Sequence, residues 1–261
     1  MIPVALTIAG SDNSAGAGIQ ADLKTFSTFG VYGTTALTCV VSENPRRVAG
    51  LQPVRPQMVE SQILTCREFF NLRAAKCGML YSAPVIRAVL RALAGTRLPL
   101  VVDPVMIATS GARLLRPEAV RVLTRELFPR AALVTPNLDE ASALLGQKIG
   151  SASEAREAAR TLSARFGVAF LVKGGHLRGR EASDFLWDGR TMHVFAARFI
   201  PGVETHGTGC TYSAAICAGL ARGSRLVEAV GAAKKFITGA LRHSHRWPGG
   251  RGALNHFRRG P

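Results

Sequence analysis

The sequence predicts an α/β fold, a three-layer α/β/α sandwich doubly wound about a central, mostly parallel sheet. Three observations carry that expectation. Strand-like and helix-like segments alternate along all 261 residues, the order that β-α-β crossovers produce. Several strand segments, LPLVVDP (98–104) and ALVTP (132–136) among them, are apolar throughout, as strands covered on both faces must be. Polar and glycine residues follow those runs directly, where open parallel sheets present their ligand sites. No repeat, low-complexity tract or linker interrupts the chain, so residues 1–261 are expected to form one domain.

The elements follow in order. Residues 3–9 (PVALTIA) are short, apolar and β-branched, and stop at Gly10. A glycine-rich turn, SDNSAGAG, leads into a helix in which Ile19, Leu23, Phe26 and Phe29 recur at helical spacing before Gly30. TTALTCVVSE (34–43) reads as one strand, and the polar, proline-bearing stretch 44–56 as a loop. Helices are expected at 56–70 and from Ala83 to about Ala94, with a buried strand, AAKCGML (74–80), between them. The strand at 98–104 ends in Asp103-Pro104, and the strand at 132–136 runs into a helix with Asn137 at its cap and Gly146 at its end. Ser151 and Glu154 have capping-box spacing at the start of the helix at 151–167. A buried strand (168–176) and two or three antiparallel strands (182–200) follow. HGTGCTYSAAICAGLARG (206–223) is a glycine turn feeding a small-residue helix, and a last helix spans 224–242.

Composition excludes several classes. With 47% hydrophobic and 19% charged residues, the chain can bury a large core and is not a disordered tail. The five cysteines (Cys39, Cys66, Cys77, Cys210 and Cys217) form no CxxC pair or metal-ligand spacing, and most lie in apolar runs. A reducing, cytoplasmic setting is therefore expected. The first apolar stretch lacks a basic lead and is short for a signal core, and no run reaches membrane-spanning length. The net charge is +16, mostly from arginine, and seven basic residues but no acidic one follow Glu228. Such a field suits anionic ligands, either nucleic acid or phosphorylated metabolites. The basic residues are scattered and not interleaved with aromatics, so a solvated arginine-rich surface outweighs a nucleic-acid groove by roughly three to one.

Five motifs could carry chemistry. In HGTGC (206–210), Gly207 and Gly209 allow close backbone approach, and the free N–H groups and dipole of the following helix favour an anion. That dipole is expected to lower the Cys210 thiol pKa and make it a candidate base. A plain packing turn with a buried cysteine weighs about evenly against this. Asn137 can cap its helix, and the Glu140 carboxylate one turn on could hold Mg2+ through water, although capping alone is favoured by about two to one. Asp103 could assist the metal or begin a turn. Lys173 could meet a phosphate as a point charge or lie in a surface turn. The first loop, SDNSAGAGIQAD, has neither the third glycine of a dinucleotide fingerprint nor the GK[ST] of a Walker A loop. Jointly, two glycine-rich turns, a carboxylate pair and a lysine at one sheet edge point to phosphoryl transfer without a Walker motif.

These motifs are also the ones through which the chain resembles a known family. LTIAGSD-x-S-x-GAGIQADLKTF (6–26), AAKCGML, VVDPVM-x-x-x-SG (101–111), TPN-x-x-EA (135–141), VKGGH (172–176), THGTGCT-x-SAA (205–215) and GALNHF (252–257) resemble the hydroxymethylpyrimidine/phosphomethylpyrimidine kinases of thiamine biosynthesis, within the ribokinase-like superfamily. The resemblance covers almost the whole chain. Its glycine-cysteine motif is the most specific part, because sugar kinases of the superfamily typically carry aspartate where Cys210 stands.

The resemblance implies an ATP- and Mg2+-dependent, homodimeric kinase with a nine-stranded or similar sheet and a small lid. It would phosphorylate 4-amino-5-hydroxymethyl-2-methylpyrimidine, then the monophosphate to the diphosphate. Cys210 would be the base that activates the hydroxymethyl group, and Gly207, Thr208 and Gly209 the anion hole. Asp103, Asn137 and Glu140 would organise magnesium and the nucleotide phosphates, with Lys173 on the ATP phosphates. The pyrimidine would lie against Gly10, Asp22, Val41, Glu43 and Met79.

Two positions depart from the family pattern. Glu43 stands where glutamine is usual; an ionised carboxylate only accepts hydrogen bonds, so it would pair best with a protonated ring. Ala15 stands where glycine is frequent, with little effect expected. A pyridoxal-type kinase is the rival within the enzyme class, and Glu43 adds to its weight. A polyanion-binding protein on an inactive kinase fold is the rival outside it, against which the intact HGTGC, Asp103 and Glu140 stand.

Overall fold

The computed structural model describes residues 1–44, 47–106, 115, 117–175, 177, 181–203, 206–247 and 252–257. Eight strands among these residues build one sheet: β1 (Val4–Ala9), β2 (Tyr32–Leu37), β5 (Leu72–Cys77), β6 (Leu100–Val102), β7 (Leu133–Val134), β8 (Ala169–Lys173), β9 (Glu181–Trp187) and β10 (Met192–Arg198). Their spatial order is β10-β9-β8-β7-β6-β5-β1-β2. The run from β8 to β2 is parallel, and β9 and β10 add an antiparallel edge. The strand order reverses between β1 and β5, the kind of switch point at which such sheets open a crevice.

Helices cover both faces. On one lie α1 (Gly18–Thr28), α7 (Thr208–Ala221) and α8 (Leu226–Arg242). On the other lie α2 (Pro56–Phe69), α3 (Ala83–Ala92), α4 (Pro117–Val122), α5 (Leu138–Leu145) and α6 (Ala152–Phe166). The period-two alternation of the strands divides the core between them. Ala5, Val101, Leu133 and Leu171 face α1, α7 and α8, whereas Leu6, Val102, Val134 and Val172 face the other layer. Both helix signals read from sequence are present as hydrogen bonds. Asn137 and Ser151 each accept from the amide three residues on, and Gly146 and Gly167 close α5 and α6 in left-handed conformation.

Three expectations need correction. The single strand over 34–43 divides at Thr38 into β2 and β3 (Cys39–Asn44). Thr38 turns the chain out of the sheet, donating its amide to Ala9 and its hydroxyl to Met79 at 2.7 Å. The stretch read as a loop contains β4 (Arg47–Pro53), which pairs antiparallel with β3 in a flap of its own. Most of β4 is exposed, so it lacks the apolar alternation that marks a strand. Residues 117–130, unassigned from sequence, form α4, a π-helical turn (Leu123–Leu127) and a short 3-10 turn. The nine-stranded sheet implied by the resemblance is eight-stranded among the described residues. β11 (His245–Arg246) and β12 (Gly252–Ala253) form a further small pair after α8.

Candidate active site

The parallel strands bring their carboxyl ends to one edge. Gly10 and Asp12 follow β1, Met79 follows β5, Asp103 follows β6, Asn137 follows β7, and Lys173 ends β8. The first turn of α7 lies against that edge. A Cβ on Gly209 would stand 3.2 Å from Lys173 Nζ and 3.3 Å from Asp103 Oδ2. Lys173 donates to Asp103 Oδ1 at 3.0 Å, and Ser213, one turn along α7, reaches Asp103 Oδ2 at 3.3 Å. Burial opposes the Lys173 charge, but Asp103 and Glu140 outweigh it and raise its pKa.

Gly207 is the N-cap of α7 with φ +78°. A Cβ there would fall 1.8 Å from the Gly16 carbonyl oxygen, so only glycine lets the first loop press on this turn. The hydroxyl oxygen of Thr208 is shielded from solvent and has no hydrogen-bond partner among the described residues. A buried hydroxyl at a helix start, where backbone amides lack intrahelical acceptors, could hold an anion.

Asp12 organises the first loop. Its carboxylate accepts from the amides of Ser14 (2.8 Å), Gly16 (3.1 Å) and Ala17 (2.8 Å), and His206 Nε2 lies 3.1 Å away. Burial pushes its pKa up, but the hydrogen bonds from His206, Ser14 and Ala17 prevail and hold it well below the ordinary carboxylate range. Glu43, on β3, has its amide bonded to Asn13 at 2.6 Å. One ligand atom from each of Asp12, Glu43 and His206 lies within 4.8 Å of the others, a set able to hold a cation. Burial and then the Asp12 charge raise the Glu43 pKa, with His206 opposing. Val41 is buried on the same side of β3. Gly10 packs on Cys39 Sγ, with Met79 Sδ beyond it.

Of the remaining expected residues, Asp22 and Cys210 depart from their sequence reading, and Asn137 and Glu140 take the capping arrangement that it favoured. Asp22 has no exposure. It is paired with Lys76 at 2.6 Å and accepts from Thr7 Oγ1 at 2.6 Å, so it lies beneath the crevice and not on its surface. Asn137 and Glu140 form a complete capping box. Glu140 also accepts from the Met106 amide at 3.1 Å. Burial raises the Glu140 pKa, with Lys173 opposing. The Cys210 thiol, expected to be acidic, is pushed up to about 11 by burial, with Lys76 opposing and Asp22 and Asp103 reinforcing. Helix-dipole reasoning omitted that desolvation. Residues 107–111, His176 and Thr205, part of the quoted motifs, lie outside the described residues.

Sequence reasoning marked Asp12 only by its place after the first strand, and it passed over Lys76, His206 and Ser213. Lys76 had a visible signal: a lone cation in the apolar strand AAKCGML needs a buried partner. Ser213 had none, because its role depends on the contact of α7 with the end of β6.

A doubly wound sheet with a non-Walker anion turn at its strand ends defines this molecule as a ribokinase-like kinase. Bacillus subtilis pyridoxal kinase, solved as an ADP complex, superposes with a TM-score of 0.91 at 38% identity, covering 98% of each chain. A phosphomethylpyrimidine kinase from Clostridium difficile 630 gives a TM-score of 0.81 at 39% identity, over 92% of this chain and 100% of that one. The hydroxymethylpyrimidine/phosphomethylpyrimidine kinase of Rhizobium meliloti (strain 1021) is 45% identical, over 99% of this chain and 98% of the relative. The phosphomethylpyrimidine kinase family model matches residues 12–255, and the chain belongs to that family.

Proposed function

We propose that this chain is an ATP- and Mg2+-dependent kinase that phosphorylates 4-amino-5-hydroxymethyl-2-methylpyrimidine on its alcohol and then phosphorylates the monophosphate to the diphosphate. The observation that carries the reading is the first turn of α7, with the Thr208 hydroxyl that has no partner among the described residues and with Gly209 against the Lys173–Asp103 pair. The amides of Gly207, Thr208, Gly209 and Cys210 would hold the transferring phosphoryl group. Lys173 would neutralise phosphate charge, and Asn137 would support the nucleotide end. Asp103, with Glu140 acting through water, would hold the magnesium, which when bound supplies charge neutralisation of the phosphates.

Cys210 would take the alcohol proton in the first step, acting as thiolate. The second acceptor is a phosphate oxygen and asks for no such base. Gly10, Val41, Glu43 and Met79 would line the ring, with Asp22 supporting them from below. The five cysteines described are all free, which favours work in a reducing cytoplasm. The reading also takes residues 1–261 as one kinase domain acting as a homodimer.

A pyridoxal-type activity is the second reading, favoured by the likeness to the Bacillus subtilis enzyme. Parallel steady-state assays with Mg·ATP on hydroxymethylpyrimidine, its monophosphate and pyridoxal decide between them. The highest kcat/KM on the two pyrimidines supports the first reading. Preference for pyridoxal supports the second, and no turnover on any acceptor removes both.

A further inference from the structure

The C-terminal GALNHF motif has no part in the chemistry above, yet it is built into the core. Beyond the β11–β12 pair the chain returns to α8, where the Asn255 amide donates to the Ala240 carbonyl at 3.2 Å. Leu254 is buried against the layer of α1, α7 and α8. His256, 4% exposed, then makes two contacts with distant elements. Its carbonyl accepts from Thr28 Oγ1, at the last residue of α1, at 2.7 Å. Its ring Nε2 lies 2.9 Å from Thr211 Oγ1, and the Leu254 backbone takes the ring's other hydrogen bond.

Thr211 follows Cys210 directly. It is fully buried, and its amide makes the first backbone bond of α7, to the Gly207 carbonyl at 2.9 Å. The strap therefore grips α7 in the turn whose other side carries the anion-binding amides. Burial, then the nearby Lys24 charge, hold the imidazole pKa down to about 4, with His245 also opposing protonation. At neutral pH the ring is uncharged and accepts the Thr211 hydroxyl proton.

We propose that His256 is a positioning residue: through Thr211 it fixes the first turn of α7 so that the amides of residues 207–210 converge on the transferring phosphoryl group. The proposal rests on the kinase reading for its consequence in catalysis, but not for the strap itself.

Two measurements on the full chain test it. In His256→Ala, hydrogen exchange of the Thr211 and Tyr212 amides, which open the hydrogen-bond ladder of α7, is expected to quicken by about tenfold or more, with the β1 and β5 amides unchanged. Its kcat is expected to fall by roughly 30-fold with the acceptor KM held within about twofold, since the defect lies in orientation and not in acceptor binding. His256→Gln should recover much of the loss, because its amide can still meet the Thr211 hydroxyl. In a Thr211→Val background, removing His256 should cost little more.

Unchanged exchange at Thr211 and Tyr212, or a full His256→Ala loss in the Thr211→Val background, overturns the proposal. If His256→Ala does not fold, the His256→Gln and Thr211→Val comparison gives the same decision. Absence of wild-type turnover would count against the kinase reading alone, and the exchange measurement would then decide the strap.

Discussion

Asp22 and Lys76 meet at 2.6 Å with neither side chain exposed to solvent. Asp22 comes from α1 and Lys76 from β5, the strand beside β1 at the sheet's switch point. Burial pulls the Lys76 pKa down, but Asp22 outweighs it and the ammonium stays charged. Removing one partner leaves the other charge buried alone, so Lys76→Met should cost about 3–5 kcal/mol. The double variant Lys76→Met/Asp22→Leu should recover most of that. Urea unfolding of the two variants gives the comparison, and equal losses would mean that the pair is not the source of the cost.

The position of the Cys210 thiol, pushed up to about 11, has a kinetic consequence. A base that works as thiolate is scarce at neutral pH. kcat/KM for the alcohol should therefore rise with pH by up to about tenfold per unit above neutrality. The monophosphate needs no base, and its profile should lack that limb. Identical profiles for the two acceptors would deny the thiol a proton-transfer role.

Asp12 links the first loop to acid stability. Its folded pKa is depressed, so its contribution is complete above the unfolded value near 4. It is lost as the pH falls below that value toward the folded one. Asp12→Asn should flatten the unfolding free energy between pH 5 and pH 3 relative to wild type. A wild-type slope retained by the variant would assign it to other carboxylates.

Ala15 has φ +60°, a left-handed conformation that costs an alanine roughly 1 kcal/mol over glycine. The small effect expected from sequence is thus too low, and Ala15→Gly should raise stability by about that amount. A thermal melt showing no gain would mean that the loop relaxes elsewhere.

Glu43 tests the reading of the acceptor ring. Glu43→Gln removes a charge that repels Asp12 and should stabilise the fold by a few tenths of a kcal/mol. It should also alter the pH dependence of kcat/KM and the ratio between hydroxymethylpyrimidine and pyridoxal. Unchanged values on both acceptors would show that Glu43 does not contact the ring.

Much of the fold was legible because its signals are local. Asn137 with Glu140, Ser151 with Glu154, Gly146 and Gly167 announce helix ends through bonds within a few residues. The break at Thr38 was not legible, since the bonds that turn the chain there reach Ala9, Val54 and Met79. That Gly207, Gly209 and Lys173 meet at the strand ends could be read from their place after strands. Asp22 could not, because an acid on a helix face shows nothing of the lysine on another element that draws it inward. Cys210 misled for the same reason: a helix start is visible in sequence, and the desolvation that raises its thiol is not.

The turnover of Cys210→Ala tests the central claim most directly, with hydroxymethylpyrimidine and Mg·ATP as substrates and the thermal shift by Mg·ADP as a control. The first turn of α7, with its thiol as base, predicts a kcat lower by at least about 100-fold with the nucleotide shift preserved. A variant that keeps the wild-type rate would place the proton transfer, and with it the chemistry, elsewhere in the molecule.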